Sequence, residues 1–303
     1  MKQLTLQNAF RLYQSDCKAR NLSPRSIEIN DCGLKALQSV LGEQDALDSI
    51  TPAVLRQFLT YMSEKNSSST SARYYDVISA FLKWCVLEEF ISENPAANIQ
   101  KPRVKEPPIS PLSVDDIDRM IQVCGNGFIG IRNKLIITLL YDTGMRATEL
   151  ANVALNDINH EQQLILVRYG KGNKTRVVPY GNTASKLLEK YLVLRGDLPT
   201  DRFIVTCFGD PTDRQRIRMA VVTTARKAKI KATTHLLRHS CAVAMIRNGC
   251  DVFSIQKLLG HTTLAMTRRY SQLADTDVQD KHRLFSPGDR VASLNRQGRR
   301  RLR

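Results

Sequence analysis

Six residues carry the groups that could do chemistry in this chain: Arg146, Lys171, His235, Arg238, His261 and Tyr270. In LLYDTGMRATEL, Gly144 permits a tight turn and Arg146 follows near a helix start. An arginine there binds an anion through its planar fork, or pairs with an acid at the surface, which is the commoner case. Glu149, three residues on, either orients Arg146 or is exposed. YGKGNK reads as a hairpin turn with Lys171 and Lys174 at its tip, where a long ammonium reaches a phosphate or is simply solvated; Arg176 follows on the returning strand. THLLRHS places His235, Arg238 and His239 at spacings of three and four, on adjacent turns of a helix. Its HxxxH spacing suggests zinc, but the metalloprotease pattern needs Glu after the first His and Leu236 stands there, so no metal site is expected. LLGHTTLAMTRRYSQL sets His261 nine residues before Tyr270, with Arg268 and Arg269 preceding the tyrosine. A lone helical tyrosine is usually a packing residue. The whole set in order changes that weighting, with three of the five histidines within 27 residues of one another beside two arginines able to bind phosphate.

The elements that must position these residues follow from pattern. Ser23 with Pro24, and Thr51 with Pro52, mark two helix starts, and Tyr74, Ile78, Phe81, Leu82 and Cys85 recur as one buried helical stripe. With a helix over residues 6–20, this predicts about four helices in the first hundred residues. Between Asn94 and Ser113 five prolines in twenty residues exclude a continuous helix, which makes this stretch the domain boundary. SVDDIDRMIQVC then opens a capped helix with acids in its first turn. QQLILVR and KTRVVPY alternate as strands around the glycine-bearing turn, before helical periodicity returns. The expected division is a helical first domain over 1–94, a proline-rich linker over 95–111, a mixed second domain over 112–275 and a basic tail over 276–303. The fold class is mainly α with a small antiparallel β-sheet in the second domain (α+β).

The 303 residues, 42 % of them hydrophobic, are enough for two cores. The formal charge of +16 attracts polyanions, with nucleic acid the leading partner and a solvated basic surface the bland alternative. Residues 281–303 hold eight basic residues and one acid, so much of the excess is a tail. Seven cysteines without a CxxC pair argue against a disulfide framework and a cysteine zinc site. The polar first residues and short apolar runs predict a soluble, cytoplasmic chain with no membrane partner.

The motif order closely resembles that of the tyrosine recombinase (phage integrase) family, Xer-like members above all. TGMRATEL resembles its first box, GKGNK its hairpin lysine, HLLRHS its HxxR box, and LLGH with a tyrosine nine residues later its end. All six catalytic positions are filled by the expected residue type. The resemblance covers the whole second domain; the first hundred residues are similar to the family's all-α, SAM-like core-binding domain only in length and pattern.

The resemblance implies a two-domain DNA clamp, with a core-binding (DNA-binding) role for the first domain and a catalytic role for the second. It also implies a site-specific recombinase, a DNA strand transferase working through a 3′-phosphotyrosyl intermediate with no cofactor, metal or ATP. Phosphodiester exchange then needs a nucleophile, charge stabilisation on the non-bridging oxygens and a proton for the leaving oxygen. Tyr270 would attack, with His235 helping as general base or positioning partner because a phenol with a pKa near 10 must lose its proton. Arg146 and Arg238 would clamp the phosphate, His261 would add a hydrogen bond, and Lys171 would protonate the 5′ oxygen. Glu149 is expected in support, and Lys174, Arg176, Arg268 and Arg269 as DNA contacts. The implied partners are a double-stranded recombination site, further copies of the chain as a tetramer on two duplexes, and accessory DNA-bending or directionality proteins. Two competing readings are a type IB topoisomerase-like monomer that reseals the same strand and a non-catalytic DNA-binding relative; the separate core-binding domain argues against the first, the full catalytic set against the second.

Overall fold

A computed structural model of the chain describes residues 4–42, 45–104, 110–168 and 175–260. It divides into two compact units, residues 1–108 and 109–303. Lys171, Lys174, His261, Arg268, Arg269 and Tyr270 lie outside the described residues.

The first unit holds α1 (Leu6–Ala19), α2 (Pro24–Leu41), α3 (Pro52–Lys65) and α4 (Ser68–Leu87). The helix starts read from Ser23 and Thr51 are real caps: each side-chain oxygen accepts an amide hydrogen bond three residues on, from Ser26 and Val54, and each is followed by proline in the first turn. The α4 stripe is buried at Ile78, Phe81, Leu82 and Cys85, and Phe81 meets the ring of Phe10 edge-on at 4.8 Å. At Gly33 a Cβ would stand 2.8 Å from the side chain of Val77, so only glycine lets α2 lie this close to α4. Residues beyond α4 belong to this core as well. Ala96 and Ile99 are buried in it, and the Ile99 carbonyl accepts from the Tyr75 hydroxyl at 2.8 Å. The proline-rich stretch therefore contributes packing to the first unit over its initial residues, because its apolar side chains fill the core that α3 and α4 leave open.

The second unit begins with α5 (Val114–Gln122), whose capping box joins Ser113 and Asp116 reciprocally. The unit continues through α6 (Phe128–Thr143), α7 (Ala147–Asn152), β1 (Ile158–Asn159), β2 (Leu164–Val167), β3 (Arg176–Pro179), α8 (Asn182–Arg195), α9 (Arg214–Lys227), α10 (Thr234–Arg247) and α11 (Val252–Leu259). The strands form one antiparallel sheet in the order β1-β2-β3, with Ile165 opposite Val178 and Val167 opposite Arg176. Helix α6 is buried nearly all round, at Ile131, Leu135, Ile136, Ile137, Leu139 and Leu140, and forms the centre of the core. It stops at Gly144, which is left-handed with φ +61°. A Cβ there would lie 2.3 Å from Leu259 Cδ2, so two separate constraints require glycine at the turn that presents Arg146. Among the described residues no helix is long and apolar enough to cross a membrane.

Candidate active site

Arg146 is the N-cap of the short helix α7. Its backbone N–H donates to Glu149 Oε2 at 2.8 Å and its Nη1 to Glu149 Oε1 at 2.7 Å. The Glu149 side chain is only 2 % exposed, so of the two sequence alternatives the structure has the orienting one. A second arginine grips the same carboxylate: Arg176, at the start of β3, donates from Nη1 to Oε1 at 3.0 Å and from Nη2 to Oε2 at 2.8 Å. Burial alone would raise the Glu149 carboxyl. The hydrogen bonds and charge of Arg176, joined by the amide and guanidinium of Arg146, outweigh it and hold the group below the ordinary carboxylate range.

Arg238 approaches from α10 and is 2 % exposed. Its Nη1 donates to the carbonyl of Gly144 at 2.5 Å and its Nη2 to the carbonyl of Leu259 at 2.7 Å. These two bonds tie the turn before Arg146 to the end of α11, residues 94 and 21 positions away from it. One turn earlier on α10 lies His235, solvent-exposed and facing His239 ring-to-ring at 5.1 Å. Although His235 reaches solvent, the protein around the ring penalises its charged form, and the nearby positive charges of Arg238 and Arg146 add to that penalty. Its pKa falls below the usual histidine value, so at neutral pH the imidazole is neutral and able to accept a proton. Helix α10 is itself anchored: Ser240 Oγ accepts from the Leu112 amide at 2.8 Å and donates to the Leu236 carbonyl at 2.8 Å.

The structure thus brings Arg146, His235 and Arg238 into one neighbourhood, where, among the described residues, the buried carboxylate of Glu149 is shared by two guanidinium groups with that of Arg238 close by. Such a surplus of fixed positive donors favours an anion in front of them. The antiparallel β2–β3 pair is anchored on both strands. Arg168, at the end of β2, donates to the buried Asp157 at 2.5 Å, and Arg176 binds Glu149 at the start of β3. Neither pairing was read from the sequence, because Asp157 and Glu149 are 11 and 27 residues away from their partners and carry no local signal. Among the described residues no cluster of His, Cys, Asp and Glu is suited to a metal.

The chain belongs to the phage integrase family, whose match runs over residues 111–277, and so to the tyrosine-type DNA recombinases. Among curated relatives, the tyrosine recombinase XerD of Staphylococcus saprophyticus is 30 % identical over 250 residues, covering 80 % of this chain and 84 % of its own. The tyrosine recombinase XerC of Listeria monocytogenes is 30 % identical over 283 residues, with 88 % and 93 % covered. Among solved structures, a lambda integrase dimer bound to a COC′ core site superposes with a TM-score of 0.76 at 17 % identity, covering 88 % of this chain and 77 % of that one. XerH bound to a palindromic difH substrate gives 0.71 at 21 % identity, covering 93 % and 85 %. These structural likenesses concern the fold.

Proposed function

We propose that the chain cleaves and rejoins DNA at a specific site through Tyr270, with Arg146, Lys171, His235, Arg238 and His261 completing the catalytic set. The observation that carries this reading is the convergence of Arg146, His235 and Arg238, from two distant stretches of sequence, around the turn that Arg238 ties to the end of α11 by donating to the Gly144 and Leu259 carbonyls. In the step, the Tyr270 oxygen bonds to phosphorus as the bond to the 5′ oxygen breaks. The phenol proton passes to the neutral His235, and Lys171 delivers a proton to the departing oxygen. Arg146 and Arg238 hold the non-bridging oxygens with donors that stay charged throughout, and His261 adds a hydrogen bond as charge develops. The protein–DNA ester keeps the bond energy, so a 5′ hydroxyl from another strand reverses the step on a new partner.

The lambda integrase structures include a dimer on a core site and a tetramer on a Holliday junction, which supports a tetramer of this chain on two duplexes. Accessory DNA-bending or directionality proteins and action in the cytoplasm at the nucleoid belong to the same reading. The test uses the full chain and a footprinted DNA site with inverted repeats around a short spacer, in buffer containing EDTA. Exchange of flanking DNA between two such sites is expected. Relaxation of supercoils without exchange would point to a topoisomerase-like activity, and binding without any strand cleavage to a non-catalytic relative.

A further inference from the structure

Arg176 was expected to touch DNA, and its setting in the fold points elsewhere. Its side chain is 12 % exposed, and all three nitrogens of the guanidinium donate to protein. Nη1 and Nη2 hold both oxygens of Glu149, the carboxylate that also fixes the backbone and side chain of Arg146. Nε donates to the Leu258 carbonyl at 2.8 Å, in the last turn of α11, where helix carbonyls otherwise lack partners. The neighbouring Leu259 carbonyl is taken by Arg238. Gly260 then ends the helix with φ +65°, and a Cβ there would sit 3.3 Å from Arg176 Cδ, so the chain passes directly over the arginine stem one residue before His261. Arg176 is also the first residue of β3, two positions after Lys174 and five after Lys171.

We propose that Arg176 is a positioning residue, a fork that fixes the stem of the lysine hairpin, the Arg146 turn and the α11 terminus at set distances from one another. Only a guanidinium can do this, because the planar group reaches the carboxylate with one edge and the helix carbonyl with Nε at once, whereas an ammonium is a single point of charge. Moving Arg176 away from Glu149 and onto a phosphate would leave that carboxylate buried with half of its four hydrogen bonds, at a large desolvation cost. The inference rests on the reading of Lys171 as proton donor, so the test separates the two.

The experiment measures binding of the full chain to its footprinted site across a salt series, and single-turnover cleavage at saturating protein. Cleavage is followed on an ordinary phosphodiester and on a 5′-bridging phosphorothiolate, whose thiolate leaves without a proton. Arg176→Lys is expected to bind within about two-fold of wild type with an unchanged salt slope, to cleave the phosphodiester at least ten-fold more slowly, and to recover in part on the phosphorothiolate. A salt slope lower by about one counterion, with normal cleavage at saturation, would make Arg176 a DNA contact and overturn the proposal. Wild-type cleavage with wild-type binding would overturn it too. Lys171→Ala is measured in parallel: if the phosphorothiolate does not rescue it, the proton-donor reading falls, and Arg176 is then judged on the split between binding and cleavage alone. Should Arg176→Lys not melt cooperatively, the neutral pair Arg176→Gln with Glu149→Gln takes its place under the same criteria.

Discussion

Replacing Glu149 by Gln removes the charge at the centre of the site while keeping its shape. The carboxylate accepts four hydrogen bonds, one from the Arg146 amide, one from the Arg146 guanidinium and two from Arg176. An amide keeps one oxygen and turns an NH2 toward donors that need an acceptor, so about half of these bonds fail. Removing one partner of a buried ion pair costs about 3–5 kcal/mol. The lower end applies, because Arg146 is 30 % exposed and water compensates part of its loss, whereas Arg176 is not so relieved. A loss of about 3 kcal/mol lowers the melting temperature of a unit this size by about 6–12 °C. The single tryptophan, Trp84, is buried in the first unit, so its fluorescence reports that unit alone while far-UV circular dichroism reports both. The dichroism transition of the second unit is expected to fall by this amount while the Trp84 transition stays in place. A shift under about 2 °C would show that the Glu149 charge does not hold the second unit together, and an equal shift of the Trp84 transition would show that its effect is not confined to that unit.

Other outcomes follow from the same geometry. His235 is expected to titrate by NMR below the ordinary histidine value near 6.5 in the DNA-free chain; because the folded form binds its proton less readily, its contribution to stability is complete above that value and is lost as pH falls through the window beneath it. Titration at or above 6.5 would contradict the desolvation of the ring by the surrounding protein and the added influence of Arg238 and Arg146. Gly144→Ala should destabilise the second unit by about 2 kcal/mol or more through its left-handed φ and the collision with Leu259, and should slow cleavage as well, since the Leu259 carbonyl is a ligand of Arg238; a melt within 1 °C of wild type would contradict this. Arg238→Lys should bind the DNA site but cleave it at least about a hundred-fold more slowly, since an ammonium cannot hold the Gly144 and Leu259 carbonyls with one rigid fork. Cleavage at the wild-type rate would remove Arg238 from the site.

The parts of the site legible in the sequence were those whose logic is local. Gly144 before Arg146 permits a tight turn, and the three-residue spacing of His235 and Arg238 places them on adjacent turns, so both could be read from neighbours in the chain. The Ser23 and Thr51 caps were legible for the same reason. Arg176 was not, because a basic residue at a strand start looks like a surface charge, and only folding carries it to Glu149 and to Leu258, 27 and 82 residues away. No helix forms among the described residues between Asn94 and Ser113, in keeping with the five prolines, but proline says nothing about packing, so the burial of Ala96 and Ile99 in the first core escaped the sequence reading.

The proposed function requires that Tyr270 become covalently joined to DNA. Wild-type chain and Tyr270→Phe are incubated with a nicked form of the footprinted site that traps cleavage products, and the mixtures are resolved under denaturing conditions. An adduct at the combined mass of protein and DNA strand is expected for wild type, with the peptide bearing Tyr270 carrying the 3′ phosphate, and none for Tyr270→Phe at unchanged DNA affinity. An adduct formed by Tyr270→Phe, or one mapped to another residue, would contradict it.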